Sequence, residues 1–436
     1  MATVDRRSKK GMAPLPTGDD EDENTGLANG LTELMTHGRQ PATKLRRWGR
    51  LGRPVLGTIA VLALIATVWF AISTSTDVRI HGPEVGSQYA IAIHGGAGTI
   101  DRSLMSEELI AEYRETLHQS TAAGEAILEA GGNAMDAVVA AVQVMELSEL
   151  FNAGRGAVFT HSGTNEMDAA LMDGRDVIAG GDARGGGAVA GVSTTRSPIA
   201  CARAVYEQSR HNLLSGPGAD EFCREQGLPE EDASYFFTER RWAQLMRGIN
   251  STESQLSESE GRRSLQSTLA ASHRSTVSAK RDWGDLSPTS PAVNFDFGKM
   301  GTVGAVARDA KGHLAAATST GGTSNKLYGR IGDSPILGAG TWAKDATCAI
   351  SATGHGEIFI REAAASQVSA RMEYGGASLR EAMDATLAAM NALWPNVGGM
   401  VGIDSTGSVS FGYTTGGMYR AWRSENGTHG ALIWDD

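Results

Sequence analysis

The chain has 436 residues, 55 of them glycine and 12 proline, and no Gly-X-Y period runs through it, which excludes collagen; with 41% apolar and 20% charged residues, most of it should fold. A formal net charge of −11 without a long basic stripe in the body of the chain argues against a nucleic-acid partner. The three cysteines, Cys201, Cys223 and Cys348, are too few for a disulfide framework and lack metal-ligand spacing, although one pair could bridge.

Residues 1–54 read as a disordered cytoplasmic tail, with an acidic run at Asp19–Glu23 and a basic cluster from Lys44 to Arg53. Val55–Ile72 follows, eighteen residues without a charge, at the lower limit for a membrane-spanning helix. A buried core helix and a cleaved targeting segment are the competing readings, but fifty polar residues are a long leader for a signal peptide. Lys44, Arg46, Arg47, Arg50 and Arg53 precede the segment, against Asp77 and Arg79 after it. The positive-inside rule then predicts a single-pass type II membrane protein, anchored through Val55–Ile72, with its catalytic part lumenal or extracellular. The sequons at Asn250 and Asn426 fit that placement without adding much to it.

The globular part begins near Gln88. Tyr89–Ile93 fits a buried strand that ends in His94-Gly95-Gly96-Ala97-Gly98. Glu107–Ala130 has helical spacing and stops at Gly131-Gly132, and Asn133 can cap a second helix over Ala134–Leu147. Residues 250–300, rich in Ser, Arg, Glu and Thr, read as a mobile linker. Beyond it, Thr302–Arg308 and His313–Thr320 predict two strands around Asp309-Ala310-Lys311-Gly312, and Thr347–Thr353 and Glu357–Arg361 predict two more. Two helices follow; the second carries a capping box at Ser378 and Glu381 and runs to Trp394. A last hairpin pairs Met400–Ile403 with Ser408–Tyr413. Strands and helices come in blocks, which predicts packed sheets with helices outside rather than a doubly wound parallel fold.

Dinucleotide, phosphate-loop, GxSxG and HExxH motifs are absent. What remains is Gly301-Thr302 at the head of a predicted strand, straight after the linker. The Thr302 hydroxyl could attack the Gly301 carbonyl, and hydrolysis of the resulting ester would free an N-terminal threonine. A free α-amine has a reference pKa of roughly 8 and can serve as base to its own hydroxyl. Taken alone, Gly-Thr is an ordinary strand sequence.

The ordered blocks HGGAG, GGNAMDAV, FNAGRGAVFT, AVAGV, GTVGAVARD, AATSTGGTSNKLYGRIGDSPILGAGTWA and SATGHGE resemble the plant-type asparaginase and isoaspartyl peptidase family of N-terminal-nucleophile hydrolases, over about residues 88–436. The resemblance implies an α+β fold, a four-layer αββα sandwich, cut into an α subunit (88–301, with the linker) and a β subunit (302–436). It implies hydrolysis of L-asparagine or β-aspartyl peptides to release aspartate. A glycosylasparaginase, a threonine-type protease and a membrane-anchored pseudoenzyme that only binds are the alternatives. Thr302 would be the nucleophile, freed by cleavage at Gly301–Thr302, with Thr320 orienting it. Thr353 and Gly354 would form the oxyanion hole. Arg330 and Asp333 would hold the substrate's α-carboxylate and α-ammonium, with the Gly356 carbonyl beside the ammonium and Asn152 close to the nucleophile.

The same resemblance implies no cofactor for the chemistry, a structural sodium ion on the carbonyls of Met145, Glu146, Ser148, Phe151, Ala153 and Arg155, and a dimer of αβ heterodimers. The chain departs from the family pattern at Ser148, Glu149 and Arg155. Gly180–Gly187 looks like an insertion. His94 and His355 are acid–base candidates by composition, but this mechanism needs neither.

Overall fold

The computed structural model describes residues 79–80, 88–176, 185–256 and 301–435. The chain divides into two units, residues 1–72 and 73–436, and every described residue belongs to the second.

Two sheets form from short strands of small and β-branched residues. The eight-stranded sheet contains, in chain order, β2 (Ala90–Gly98), β3 (Met167–Asp173), β4 (Gly186–Val192), β5 (Leu213–Ser215), β6 (Val303–Arg308), β7 (Leu314–Thr320), β12 (Gly417–Ser424) and β13 (His429–Leu432). Its spatial order is β13-β12-β2-β6-β7-β3-β4-β5, so strands from before and after residue 301 interleave. The five-stranded sheet has the order β1-β11-β10-β9-β8, built from β1 (Arg79–Ile80), β8 (Thr341–Ala343), β9 (Cys348–Gly354), β10 (Gly398–Asp404) and β11 (Val409–Tyr413). All pairings are antiparallel except β4 with β5.

The period of two in a strand sorts side chains into layers. On β6, Val303, Ala305 and Ala307 join a core beneath helices α1 (Glu107–Glu129) and α2 (Ala134–Glu146), while Val306 points the other way. There it meets Ala90, Ala316, Val401 and Phe411 in a core between the two sheets. Helices α7 (Ala364–Gly375) and α8 (Leu379–Leu393) cover the far side of the smaller sheet through Val368, Met383 and Leu387. The layers therefore run helix, sheet, sheet, helix. Local signals place the helix ends: Ser106 and Asn133 cap α1 and α2, and Ser378 and Glu381 form the capping box of α8.

Several expectations are corrected. The fold was expected to carry one transmembrane helix and a type II membrane placement. Among the described residues no helix is long and apolar enough to cross a membrane, and Val55–Ile72 lie outside the described residues, so the anchor and that placement are withdrawn and a mixed α/β fold is what stands. Residues 250–256 of the expected linker close a helix, α5 (Glu239–Leu256); residues 257–300 lie outside the described residues. Glu357–Arg361 is helical, within α6 (Gly356–Glu362), because the His355 carbonyl accepts the N–H groups of Ile358 and Phe359 straight after β9. A run as short as Glu-Ile-Phe-Ile-Arg has no periodicity to separate strand from helix. His94–Gly98 continues β2 instead of ending it. Gly186 and Gly187, expected in an insertion, start β4, where a Cβ on Gly187 would stand 2.4 Å from the Ala202 carbonyl of α3 (Pro198–Gln208). On α3 and α4 (Gly216–Glu225), Cys201 and Cys223 face each other with Cα atoms 5.5 Å apart, a spacing that suits a disulfide.

The core between the sheets holds the site in place. Truncating its largest fully buried ring, Phe411→Ala, is expected to cost about 3–5 kcal/mol in denaturant unfolding; a loss below about 1 kcal/mol would contradict the packing described.

Candidate active site

The register of the central strands brings the threonines together. Val303 pairs with Ser319 across β6 and β7, so one step outward Thr302 stands opposite Thr320. Both side chains fall on the face toward the smaller sheet. Thr302 is 8% exposed, and its hydroxyl donates to Thr320 Oγ1 at 3.2 Å. Thr320 Oγ1 also accepts the Gly322 N–H at 2.9 Å, which leaves its own proton to be directed elsewhere. From the facing sheet, Thr353 Oγ1 accepts the N–H groups of Thr302 and Ala97, each at 3.4 Å. Gly354 follows Thr353 at φ 154°, where a Cβ would stand 2.3 Å from the Val397 carbonyl, so only glycine fits.

A hydroxyl network supports this group from below. His94 Nε2 lies 2.9 Å from Ser351 Oγ, which is 2.7 Å from Thr318 Oγ1; Thr341 donates to Thr318 at 2.7 Å and also lies within reach of the Ser334 carbonyl. Four strands and the loop before β8 are thereby joined through buried polar atoms. Burial pushes the His94 imidazole down to about 3, so it stays neutral near pH 7. The His355 ring packs against Trp394 at a tilt of 52°, with ring centroids 4.9 Å apart.

Beside Thr302 and Thr320, the cavity wall continues with Arg330, Asp333 and Gly354. Asp333 is 4% exposed, and its Oδ2 has no hydrogen-bond partner among the described residues. Burial raises its carboxyl to about 7, against the opposing pull of Arg330. Arg330 donates from Nε and Nη2 to Glu357 Oε1 at 3.0 and 2.9 Å. A Cβ on Gly356 would stand 2.8 Å from Arg330 Nη2 and 3.0 Å from Asp333 Oδ1, so a side chain there would fill the space between the two charges. Two acidic residues of this neighbourhood escaped the sequence reading. Glu357 is inside the quoted TGHGE block, but nothing in its spacing marks it as Arg330's partner. Asp168, buried on β3, accepts N–H bonds from Gly191 at 2.9 Å and Gly332 at 3.5 Å; it sits in an apolar strand sequence with no motif.

Asn152 reaches the site from behind. Its Oδ1 accepts the Val158 N–H at 2.9 Å and its Nδ2 donates to the Gly322 carbonyl at 2.7 Å, so it holds the turn after Thr320. Asn152 belongs to the stretch 145–155, where a sodium ion was expected. Cβ atoms on Gly154 and Gly156 would stand 2.3 Å from the Glu146 carbonyl and 2.1 Å from that of Phe151. Both carbonyls pack directly against the glycine main chain, and those of Met145 and Ala153 accept the N–H groups of Ser148 and Gly156. Arg155, the least family-like position, pairs with Glu149 at 2.7 Å on the surface.

The profile of the family described as Asparaginase matches residues 87–433. The chain is 43% identical over 332 residues to an isoaspartyl peptidase of Salmonella typhimurium, covering 76% of this chain and 94% of that one. It is 41% identical over 334 residues to a putative isoaspartyl peptidase/L-asparaginase of Dictyostelium discoideum, covering 76% and 92%. A plant-type L-asparaginase of Pyrobaculum calidifontis is 36% identical over 333 residues, covering 76% and 96%. The family match runs from β2 through β13 and includes every strand that contributes a residue to the threonine cluster; the chain belongs to the asparaginase family.

Proposed function

We propose that this hydrolase cuts itself between Gly301 and Thr302 and then hydrolyses L-asparagine and β-aspartyl peptides to L-aspartate. The observation that carries the reading is the position of Thr302. It heads a central strand, its hydroxyl is on Thr320, and Arg330 and Asp333 line the same cavity.

In self-cleavage the Thr302 oxygen attacks the Gly301 carbonyl carbon, the C–N bond breaks, and water hydrolyses the ester to leave Gly301 with a carboxylate and Thr302 with a free amine. In turnover that amine takes the hydroxyl proton and the oxygen attacks the substrate's side-chain carbonyl carbon. The Thr353 hydroxyl and the Gly354 N–H face the developing oxyanion, a type of interaction worth about 3–4 kcal/mol per donor elsewhere. The amine returns the proton to the departing nitrogen, and water then attacks the aspartyl ester by the same route. Base and nucleophile belong to one residue, so the chemistry calls for no cofactor. The substrate's α-carboxylate replaces Glu357 on Arg330, and its ammonium meets Asp333 and the Gly356 carbonyl. A sodium ion on the carbonyls of Met145, Glu146, Ser148, Phe151, Ala153 and Arg155 would brace the loop carrying Asn152 and supply no chemistry. The two fragments would remain together as an αβ heterodimer and pair into a dimer of heterodimers, which size-exclusion chromatography with light scattering measures.

The reading is tested on a denaturing gel with N-terminal sequencing. Two fragments are expected, the smaller starting at Thr302 with 135 residues (302 through 436). Thr302→Ala should stay intact and lose at least about 10³-fold in turnover. An intact wild-type chain that releases no ammonia from asparagine would sink the proposal.

The pH dependence has a defined sign. Asp333 must be ionised to hold an ammonium, and its carboxyl is raised to about 7 in the free site. For asparagine, kcat/KM should therefore fall as pH drops below about 7, while kcat, read with the ammonium already on Asp333, should hold to lower pH. A kcat/KM that is flat from about pH 8 to 5 contradicts the assignment.

A further inference from the structure

The AVAGV block, residues 188–192 on β4, lines no part of the cavity around Thr302. Its bearing on that cavity comes from its register with β3. Met167 pairs with Val192 and Ala169 with Val189, so Ala190 and Gly191 together stand opposite Asp168. This is a β-bulge, and Gly191 takes φ 64°, in the left-handed region that glycine accepts most readily. Bulges re-aim side chains and are common beside active sites. Here the Gly191 N–H donates to Asp168 Oδ1 at 2.9 Å.

On its other edge β3 pairs with β7, and there Asp168 is the register partner of Thr320. Directly opposed residues share a face of the sheet, so the carboxyl stands on the side that carries the Thr320 hydroxyl. Its second oxygen, Oδ2, accepts the Gly332 N–H at 3.5 Å. The loop between β7 and β8 holds Arg330, Gly332 and Asp333 and has neither helix nor strand to fix it. Gly332 is the part of that loop on which Arg330 rests: a Cβ there would stand 2.7 Å from Nη1 and 3.3 Å from Cζ of the guanidinium. Asp333 follows it directly in the chain. Asp168 therefore joins a bulge in the sheet to the main chain between the two charged groups of the cavity.

Packing alone would place an apolar residue here. Asp168 is fully buried in a strand otherwise made of Met, Ala, Leu and the terminal Asp173. A buried carboxylate is costly unless it is hydrogen-bonded and its charge is offset. The two glycine N–H groups are the only side-chain hydrogen bonds of Asp168 among the described residues. Buried Lys326 and Arg330 supply the opposing charge. Closing the bulge occupies one carboxylate oxygen, and the other serves the loop.

We propose that Asp168 is a positioning residue for the reaction: it takes the β4 bulge as a fixed point and holds Gly332, and through it the seats of Arg330 and Asp333, at the spacing of a substrate's α-carboxylate and α-ammonium. The proposal rests on the function proposed above for this cavity. It separates two parts of the chemistry. Self-cleavage at Gly301–Thr302 engages no substrate carboxylate or ammonium and is independent of Asp168, whereas the binding of asparagine depends on it.

The test compares Asp168→Asn and Asp168→Ser with the wild type, each as the full chain. Asn keeps the size but offers one acceptor oxygen in place of two, and Ser leaves room for water beside both N–H groups. In both variants KM for L-asparagine should rise at least about tenfold while kcat stays within about threefold, the pattern of lost binding rather than of a lost transition-state contact. Self-cleavage, followed on a denaturing gel, should keep its wild-type rate within about twofold. A KM within about twofold of wild type in either self-cleaved variant overturns the proposal. So does a joint loss of self-cleavage and kcat, or failure of both variants to fold, since Asp168 would then serve the fold alone. Each of these results leaves the function standing; a wild type with a free Thr302 that releases no ammonia from asparagine overturns both.

Discussion

The antiparallel register between β6 and β7 is the constraint on which the site depends. It sets Thr302 against Thr320 at the open end of the sheet. It also sends the intervening Ser319 to the other face, where it donates to the buried carboxyl of Glu146 at 2.6 Å. That carboxyl in turn accepts bonds from Ser197 and the Ile199 N–H at the start of α3. One strand therefore carries the hydrogen-bond partner of Thr302 on one side and ties the helix layer on the other. A slip of one residue would exchange these faces, burying Thr320 among helices and leaving Glu146 without its hydroxyl.

The small side chains of the inner layer follow from the same geometry. Ala90, Ala92, Ala316 and Ala349 fill the apolar part of the space between the sheets, while His94, Thr318, Ser351 and Thr353 occupy the end nearest the site. The change from methyl to hydroxyl along each strand leads from packing to chemistry. Charge is handled differently. Asp168, Lys326 and Asp333 are all buried near Arg330, and burial disfavours the ionised form of each of the three. Such a group is costly to leave uncompensated. Under the proposed function, a substrate that brings one cation and one anion into the cavity would complete the pairing.

The elements most legible in the sequence were those with their own punctuation. The helix starts at Ser106, Asn133 and Ser378 and the strand pair around Asp309–Gly312 are written in capping and turn residues. The threonine cluster was legible only through resemblance, since Gly301-Thr302 is locally an ordinary strand start and Thr353 lies 51 residues away from it in the chain. Asp168 and Glu357 carried no signal, because each pairs with a partner that only the tertiary fold supplies. The run at Glu357–Arg361 misled for the opposite reason: its apolar residues are genuine, but a hydrogen bond from the preceding turn decides their conformation. Val55–Ile72 was read from its length and lack of charge; it lies outside the described residues, among which no helix is long and apolar enough to cross a membrane.

The interleaved order of the larger sheet has a consequence for the history of the molecule. In β12-β2-β6-β7-β3, three of the four neighbouring pairs, β12 with β2, β2 with β6 and β7 with β3, join strands from the two sides of the Gly301–Thr302 bond. An uncut chain brings these strands together at an effective concentration set by its own length. Once the bond is gone, recovering the sheet is an encounter between two separate polypeptides, each lacking the partners for its central strands. Under the proposed cleavage, folding would be first order before the cut and second order after it, and dilution would oppose the reassembly. Mature protein would owe its persistence to a slow unfolding rate rather than to ready refolding. The fold would in this sense be built once, with the act that starts its chemistry also removing its route back.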